Sequence, residues 1–502
     1  MFEAAELGRK VSKKEFEDQA PDLRVKMLEM QQALRKCDFP VIVVFAGVDG
    51  AGKSEAVNLL NEWMDPRWIV ARAYGPPSDE ERERPEFWRY WRDLPPKGQF
   101  GLFLSAWYTQ PLLDNVFGRI GKAKLNDRLE RIAGFERTLA DDGALILKFW
   151  MRLNKKEQKK RLEKLQKHPF HHWKITKKDW DNWRRYDKFI TAAERIIMRT
   201  STGEAPWHIV EGLDSRYRSM TVLTTIHDAV IAHMEMRASE VALREKQKKR
   251  KPVKPAVPDT VLGDGATILS RLDMKQSVDP DEYRRQLKVV RADLHKLYRK
   301  VSDQKLSTVL VFEGWDAAGK GGAIRRMTSA LDARDYRVLP FAAPTSEERE
   351  QHYLWRFWRQ LARAGRFTVF DRSWYGRVLV ERVEGFATEQ EWRRAYAEIN
   401  EFEAQLIEHG IVLMKYWVHI TKDEQERRFQ SRAETPYKRW KLTDEDWRNR
   451  EKWDDYEQAV NEMVERTSTL NAPWTLIEGN DKKFARLKVI RELCKRLKVA
   501  VD

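Results

Sequence analysis

The sequence predicts an α/β fold in which one domain is repeated in tandem, each copy having a parallel sheet flanked by helices. Residues 47–53 read Gly-Val-Asp-Gly-Ala-Gly-Lys and residues 314–320 read Gly-Trp-Asp-Ala-Ala-Gly-Lys, so a phosphate-binding loop occurs twice, 267 residues apart (314 minus 47). The same offset aligns further identical residues in the two halves without a gap: Trp107 with Trp374, Trp150 with Trp417, Trp207 with Trp474, and Glu211-Gly212 with Glu478-Gly479. Short β-branched runs alternate with helical patterns, as expected for βαβ units around a parallel sheet.

The candidate strands recur in the same order in each half, and we expect five per sheet. In the second half they are 309–312, 337–341, 367–371, 411–417 and 474–477. Four equivalent runs stand out in the first half: 41–45, 70–74, 145–150 and 207–210. After the second strand, apolar residues follow the helical period and are predicted to lie in the core; they are Phe87, Tyr90, Trp91 and Leu94, and their counterparts Leu354, Phe357, Trp358 and Leu361.

The chain of 502 residues is expected to divide at a basic, proline-punctuated segment. We place the first copy at residues 1–245, an extended linker at 246–265 and the second copy at 266–502. Such a basic run can also bind nucleic acid, but its place between two copies favours a linker.

Composition limits the partners and the location. Lys and Arg number 94 against 78 Asp and Glu, a net charge of +16. That surplus indicates either solubility alone or a polyanionic partner: nucleic acid, an acidic membrane surface or a chain of phosphates. Cys37 and Cys494 form no disulfide framework and have no metal-ligand spacing. We find no secretory signal or membrane-spanning run, and we expect a soluble cytoplasmic protein.

The glycine-rich loop predicts phosphate binding in the second copy. Its backbone N–H groups would converge on phosphate oxygens at a helix N-terminus while Lys320 adds a positive charge. The residue after the lysine is Gly321, where related loops carry the Ser or Thr that ligates Mg²⁺. We therefore predict Asp316 and Asp371 as the metal carboxylates. The predicted phosphate-binding loop residues are Gly314, Ala317, Ala318, Gly319 and Gly321.

The segment that begins at Asp371 indicates which copy performs the chemistry. Arg372 beside a metal carboxylate can stabilise charge on a transferring phosphoryl group, although a structural ion pair is the alternative. In the first copy Leu104-Ser105-Ala106 replaces Asp371-Arg372-Ser373, while the following Trp-Tyr pair is kept. Packing is conserved between the copies and chemistry is not. The first copy retains Asp49, Lys53 and Ser54, which permit anion binding but not turnover.

A cationic stretch, residues 428–442, lies between two helical patterns late in the second copy. Lids of small-substrate kinases lie at this position and close cations over the phosphates. Its candidate phosphate-binding residues are Arg432, Lys438, Arg439 and Lys441. The first copy has Leu165 in place of Arg432 and His171-His172 in place of Lys438-Arg439, which we interpret as decay of the lid and not as a metal site.

Three motifs together resemble the family-2 polyphosphate kinases: residues 313–322, residues 371–375, and Pro436-x-Lys438-x-Trp440-Lys441-Leu442. The resemblance covers residues 10–235 and 266–500, and the fused architecture is similar to the two-domain branch of that family. It implies a P-loop kinase-like core with a helical lid, polyphosphate as donor, AMP as acceptor, ADP as product and Mg²⁺ as cofactor.

The resemblance also implies roles for individual residues. Asp316 and Asp371 would organise Mg²⁺ and phosphate, and Lys320 and Arg372 would act on the transferring phosphates by direct in-line transfer without a phosphoenzyme. The lid cations would line the site, with Arg377 and Arg382 nearby.

Three alternatives stay open. The acceptor can be ADP or GDP, the protein can be an ATP-dependent small-molecule kinase, or it can be a basic P-loop protein acting on nucleic acid, for which the sequence has no recognisable module. The first copy can be a scaffold, a polyphosphate-holding surface or a regulatory nucleotide site. A pseudo-dimer of the two copies, and a homo-oligomer of whole chains, are both compatible with the sequence.

Overall fold

The chain was examined as a computed structural model, which describes residues 2, 6–170, 172–248, 266–441 and 444–502. It forms two compact units, each with its own five-stranded sheet. The first unit comprises Met1–Pro77, Arg89–Lys254 and Ser346–His352, and the second comprises Ser78–Trp88, Pro255–Thr345 and Tyr353–Asp502. Of the predicted linker, residues 249–265 lie outside the described residues, and helix continues as far as Lys248.

The first sheet has the strand order β2-β3-β1-β4-β5, and all its pairs are parallel. Its strands are β1 Val41–Gly47, β2 Ile69–Ala73, β3 Phe100–Leu104, β4 Leu145–Arg152 and β5 Trp207–Glu211. The helices of the first half of the chain are α1 Lys13–Leu34, α2 Lys53–Trp63, α3 Asp79–Arg82, α4 Trp88–Arg92, α5 Thr109–Val116, α6 Lys122–Asp141, α7 Lys155–Gln166, α8 Lys177–Arg184, α9 Tyr186–Thr200 and α10 Ser215–Lys248.

The second sheet repeats this arrangement as β7-β8-β6-β9-β10, again all parallel. Its strands are β6 Thr308–Gly314, β7 Tyr336–Pro340, β8 Phe367–Asp371, β9 Val412–His419 and β10 Trp474–Glu478. The helices of the second half are α11 Pro280–Asp303, α12 Lys320–Thr328, α13 Ser346–Arg349, α14 Trp355–Trp358, α15 Val380–Val383, α16 Glu389–Glu408, α17 Lys422–Glu434, α18 Asp444–Glu451, α19 Trp453–Thr467 and α20 Lys482–Val501.

The predicted fold class is confirmed, including the strands and the core stripe. All eight residues of the aromatic stripe are buried. The fifth strand of the first sheet, β3, had not been distinguished in the sequence. Its Gly101 interrupts a run that otherwise suits a strand, and in the fold Gly101 packs against the ring of Pro95 at 3.0 Å from where a Cβ would lie.

A buried polar network is repeated in the two cores. Lys148 Nζ donates to Glu136 (2.6 Å), to the Tyr108 hydroxyl (3.0 Å) and to the Thr200 carbonyl (2.6 Å). At the equivalent positions Lys415 Nζ donates to Glu403 (2.7 Å), Tyr375 (3.0 Å) and the Thr467 carbonyl (2.6 Å). Trp107 donates its indole N–H to Glu136 at 2.9 Å, and Trp374 donates its indole N–H to Glu403 at 3.0 Å. A buried charge is tolerated only when paired and fully hydrogen-bonded, which accounts for the retention of the Trp-Tyr pair in both copies.

Each unit contains a short segment from the opposite half of the chain. In the second unit Arg363 pairs with Glu83 (2.5 Å) and the Arg84 guanidinium donates to the Leu361 carbonyl (2.8 Å). In the first unit the Lys97 amide donates to the Glu350 carbonyl (2.9 Å) and Gln351 donates to the Leu94 carbonyl (3.3 Å). Residues 83 and 350 are the same position in the two copies, so the exchange is reciprocal.

Among the described residues, no helix is both long enough and apolar enough to cross a membrane.

Candidate active site

The glycine-rich loop of the second copy joins β6 to α12 at the carboxyl edge of the sheet. Gly319 precedes the helix with φ of 109°, a left-handed conformation that favours glycine. A Cβ on Gly314 would lie 2.4 Å from the Val418 carbonyl, so only glycine fits beside β9. The first N–H groups of α12 are thereby left facing the loop, which is the geometry of an anion-binding helix N-terminus.

The loop lines a cavity of about 330 Å³ that brings together most of the predicted site residues. Register explains why, since Phe312 of β6 pairs with Asp371 of β8 and both strands end at this edge. The predicted residues lining the cavity are Asp316, Ala317, Ala318, Gly319, Lys320, Gly321, Asp371, Arg372 and Arg432. Arg325, which the sequence did not single out, adds another cation.

Asp316 is held from three directions. Its carboxylate accepts from the Arg372 guanidinium at 3.2 Å and from the Asn449 amide at 3.0 Å. Gln425 donates to the Asp316 backbone carbonyl at 3.2 Å. The Asp316 carboxylate and the Arg372 guanidinium are therefore fixed relative to each other at the entrance to the cavity. Asn449 and Gln425 were not predicted.

Arg428 clamps the loop, a role that sequence reasoning did not assign. Its guanidinium donates to the carbonyls of Ala317 (3.0 Å), Ala318 (2.8 Å), Gly479 (2.6 Å) and Asn480 (2.9 Å). Burial lowers the pKa of Arg428, while Glu424, bound at 2.6 Å, acts in the opposite direction. By joining the loop to the end of β10, Arg428 holds the loop in one conformation.

A second cavity of about 80 Å³ adjoins the first and shares Asp316, Lys320 and Arg372 with it. Its other lining residues include both apolar or aromatic side chains and polar ones: Leu379, Val380, Trp417 and Tyr456, and Glu313, Gln425, Glu445 and Asn449, together with Gly314, Trp315 and Gly376. A cavity of this mixed character suits a ligand with a planar apolar part and a charged end.

The Trp315 indole closes one side of this region. It stacks on Trp453 with ring centroids 3.8 Å apart, and its N–H donates to His419 Nδ1 at 3.1 Å. Burial lowers the pKa of His419 to about 4, so the ring is neutral and can accept this bond.

Three further predicted site residues, Arg377, Arg382 and Arg439, do not line either cavity. Arg377 pairs with Glu381 (3.1 Å) and lies over the Tyr353 ring, and Arg382 pairs with Glu462 (2.7 Å) and bonds Tyr396 (2.9 Å). Arg439 follows the lid helix α17 and donates to the Ala433 carbonyl at 2.7 Å. The side chains of Lys438 and Lys441 lie outside the described residues. The phosphate-binding roles of these five residues stay predictions.

No group of three or more His, Cys, Asp or Glu side chains is arranged for a metal ion in the part of the chain that the structure describes. The large cavity does contain the two predicted carboxylates, Asp316 and Asp371. Mg²⁺ commonly binds through one or two carboxylates and completes its shell with water and substrate phosphates. The site therefore fits a metal that arrives with its phosphate ligand, not one held by protein alone.

The polyphosphate kinase 2 family matches residues 10–238 and 277–501, which covers both copies of the domain. The chain belongs to the polyphosphate kinase 2 family. The resemblance seen in the motifs is thus confirmed over most of the sequence.

Individual relatives extend over the whole chain. It is 50% identical over 494 residues to a Polyphosphate:AMP phosphotransferase of Pseudomonas aeruginosa strain PAO1, covering 98% of each chain. It is 47% identical to a protein of the same description from Pseudomonas syringae pv. tomato, covering 100% of this chain and 99% of the other. A crystal structure of a protein assigned as a polyphosphate kinase 2 from Pseudomonas aeruginosa PA01 superposes with a TM-score of 0.88 at 48% identity, covering 100% of this chain and 99% of the other.

The first copy of this polyphosphate kinase 2 fold keeps the loop and its lysine but not the three arginines of the cavity. Asp49 accepts from Asn182 at 3.0 Å, and Gln158 donates to the Asp49 carbonyl at 3.0 Å, as at the equivalent positions of the second copy. Lys53 donates to the carbonyls of Gly47 and Val48, and burial lowers its pKa. At the positions of Arg325, Arg372 and Arg432 stand Asn58, Ser105 and Leu165.

A different arginine lies against this first loop. Arg218 of α10 lies so close to Gly52 that a Cβ there would meet its guanidinium at 2.2 Å. It donates to the Gly212 carbonyl (3.1 Å) and pairs with Glu55, while Arg161, the counterpart of Arg428, also pairs with Glu55 (2.5 Å). The carboxylate of Glu55, in the first turn of α2, opposes an incoming anion.

A residue near the amino terminus replaces Trp315 in the first copy. The loop has Val48 where the second has Trp315, and Phe2 lies against the same neighbours: its ring is 6.2 Å from that of Trp150, and Arg152 lies over it at 4.7 Å. Trp150 and Arg152 are the counterparts of Trp417 and His419, which Trp315 contacts. Glu6 pairs with Arg152 (2.5 Å), and the amides of residues 8 and 9 donate to Glu211 (2.9 and 3.2 Å). The amino-terminal segment thus completes the first copy's edge.

Proposed function

We propose that the protein transfers a phosphoryl group from inorganic polyphosphate to AMP and forms ADP, using the second copy alone. The observation that carries this proposal is the difference between the two loop edges. Lys320, Arg325, Arg372 and Arg432 line one cavity in the second copy, whereas only the lysine has a cationic counterpart in the first. The full-length match to relatives described as Polyphosphate:AMP phosphotransferase supports polyphosphate as donor and AMP as acceptor.

Phosphoryl transfer requires alignment and charge neutralisation more than covalent help from the protein. The loop N–H groups and Lys320 would hold the donor phosphates, and Arg372 would face the group in transit. Arg325 and Arg432 would neutralise the chain of phosphates beyond it. A donor with a negative charge on every phosphate unit needs several such cations.

The acceptor would bind in the second cavity. Its charged end would meet Lys320 and Arg372, which both cavities share, and its planar base would lie against Leu379, Val380 and Trp417. Donor and acceptor would then approach the transferred group from opposite sides, as direct in-line transfer requires.

Asp316 and Asp371 would hold Mg²⁺ together with the donor phosphates. When bound, the ion would supply further neutralisation of the phosphate oxygens.

We assign the first copy the role of a scaffold, because its loop edge is completed by its own side chains, Arg218 and Phe2. We also propose a cytoplasmic protein whose partners are polyphosphate and adenine nucleotides, without nucleic acid or membrane partners.

The test is ADP formation from AMP, Mg²⁺ and long-chain polyphosphate, beside the same reaction with ATP as donor. We expect turnover with polyphosphate only, and a loss of roughly 10²–10³-fold in kcat for Asp371→Asn because one phosphate-organising carboxylate is removed. AMP binding and the melting temperature of the variant serve as controls. Turnover only with ATP would refute the donor, ADP-to-ATP conversion without AMP turnover would refute the acceptor, and competition by short DNA would support the nucleic-acid alternative.

A further inference from the structure

Glu313 and Ser373 form a buried pair beneath the two cations that the cavities share. Both residues are 5% exposed, and the Ser373 hydroxyl donates to Glu313 Oε1 at 2.7 Å. The same hydroxyl oxygen accepts the Tyr375 amide at 3.3 Å. Because its single proton is given to Glu313, Ser373 fixes the direction of the carboxylate.

The carboxylate faces the second cavity, where Lys320 and Arg372 are its cationic neighbours. Burial raises the pKa of Glu313, and Lys320, the Ser373 hydroxyl and Arg372 act against that rise. Two cations at one small cavity repel each other in a medium of low dielectric, and a buried carboxylate that attracts both of them offsets part of that repulsion. Glu313 is thus a counter-charge at the site where phosphoryl charge must be received.

The first copy shows that the fold does not need this pair. Ala46 and Ala106 stand in place of Glu313 and Ser373, and Ser105 stands in place of Arg372. The turn is nevertheless the same, with φ of 54° at Ser105 and 66° at Arg372.

The hydrogen bond that holds this turn is also present in both copies. The Ser105 amide donates to the Phe45 carbonyl at 3.3 Å, and the Arg372 amide donates to the Phe312 carbonyl at 3.1 Å. What the first copy lacks is the second cation, and with it the glutamate and the serine that fixes the glutamate. A buried carboxylate without its cationic partners is costly, so its loss alongside Arg372 is physically expected.

We infer that Glu313, oriented by Ser373, is a positioning residue that holds Lys320 and Arg372 at the separation the transferring phosphoryl group requires. The residue acts through these two cations and not on the substrates. This inference rests on the proposed function and adds to it a role for Glu313 and Ser373, two motif residues to which the sequence analysis assigned none.

The test compares Glu313→Ala, Glu313→Gln, Ser373→Ala and the double variant Glu313→Ala/Ser373→Ala in steady-state assays with AMP and polyphosphate. The double variant installs the pair that already packs in the first copy, so its folding is secured by precedent within the chain. We expect kcat to fall roughly 10²-fold in Glu313→Ala, since misplaced cations misalign the transfer. The KM for polyphosphate should not rise, because the variant removes a negative charge from an anion site.

The other variants separate charge from hydrogen bonding. Glu313→Gln keeps an acceptor for Ser373 but lacks the charge, and should be as slow as Glu313→Ala. Ser373→Ala keeps the charge but not its orientation, and should lose roughly tenfold, the scale of one hydrogen bond to a charged group. The double variant should be no slower than Glu313→Ala, because the serine acts only through the glutamate.

Several outcomes would overturn the inference. Glu313→Gln with parental kcat would show that the hydrogen bond, not the counter-charge, matters. A loss of activity that follows a lower melting temperature and disappears at lower assay temperature would show a structural role only. If the parent itself forms no ADP from polyphosphate, the proposed function fails and the inference with it, whereas an active parent with an unimpaired Glu313→Ala overturns the inference alone.

Discussion

The carboxyl edges of the two sheets have the same backbone and different chemistry. Each has a glycine-rich loop whose aspartate accepts from an asparagine at 3.0 Å, and each core contains the same buried lysine–glutamate–tyrosine network. Around the loop, however, the second copy places cations toward an open cavity, while the first fills the space with Arg218 and Phe2. Packing constraints preserve the fold of a copy even where the groups that bind phosphate have been lost.

Arg428 and Arg218 show that one structural requirement can be met by different residues in the two copies. The carbonyl that follows the last strand, Gly479 in the second copy and Gly212 in the first, accepts a hydrogen bond from an arginine in both copies. Arg428 comes from α17 in the second copy, whereas Arg218 comes from α10 in the first. The requirement is conserved although the residue that meets it is not.

The strongest test of this comparison is the loop lysine of each copy. Lys320→Ala should reduce kcat by roughly 10³-fold, because it removes a charge that neutralises the transferring phosphates. Lys53→Ala should leave ADP formation within about twofold of the parent. Steady-state kinetics of the two matched variants measure the difference directly. Comparable losses in both would show that the first copy takes part in turnover.

The buried lysine–glutamate–tyrosine network is the same in both copies, so removing its carboxylate should have an equal effect on stability in each. Glu136→Gln and Glu403→Gln each leave a buried lysine without its carboxylate, which should destabilise the affected unit by about 3–5 kcal/mol. Urea unfolding of the two variants checks this prediction. If only Glu403→Gln were destabilising, the first network would be packed more loosely than its distances indicate.

A smaller effect should distinguish the copies by pH. Burial lowers the pKa of His419 to about 4, below its unfolded value near 6.5. The unfolded chain therefore takes up the proton first, so the stability of the second unit is complete above about pH 6.5 and falls, by at most about 3 kcal/mol, as the pH approaches 4.

The first copy has Arg152 at this position and not a histidine. Melting temperatures from pH 7 to pH 4 should show the second unit losing stability, and His419→Gln should flatten the curve. An unchanged pH dependence in the variant would assign the effect to other groups.

The sequence predicted the fold and most of the cavity because these depend on local patterns and on one internal repeat. It did not identify Arg428 or Asn449, whose partners Ala317 and Asp316 lie 111 and 133 positions away. Charge alone also drew attention to Arg382, which the fold pairs with Glu462. A sequence shows a charge but not its partner.

Glu313 belongs to a predicted motif, but no role was predicted for it. It lay within the motif that carried the family resemblance, yet nothing local distinguishes a buried glutamate at a strand end from an ordinary polar residue. One signal in the sequence could have identified it: the first copy has alanine at the positions of both Glu313 and Ser373. Only the structure shows that these two residues are hydrogen-bonded to each other, so that the two differences are related.

The exchanged segments bear on the history of the gene. A gene encoding only residues 266–502 would produce a second unit without Ser78–Trp88, and Arg363 would have no Glu83 to pair with. Fission of the gene would therefore remove part of the second unit, to which we assign the reaction, and deletion of the first copy would not be neutral. Selection for the phosphoryl-transfer reaction is in this way sufficient to maintain a copy that, as we propose, performs none of it.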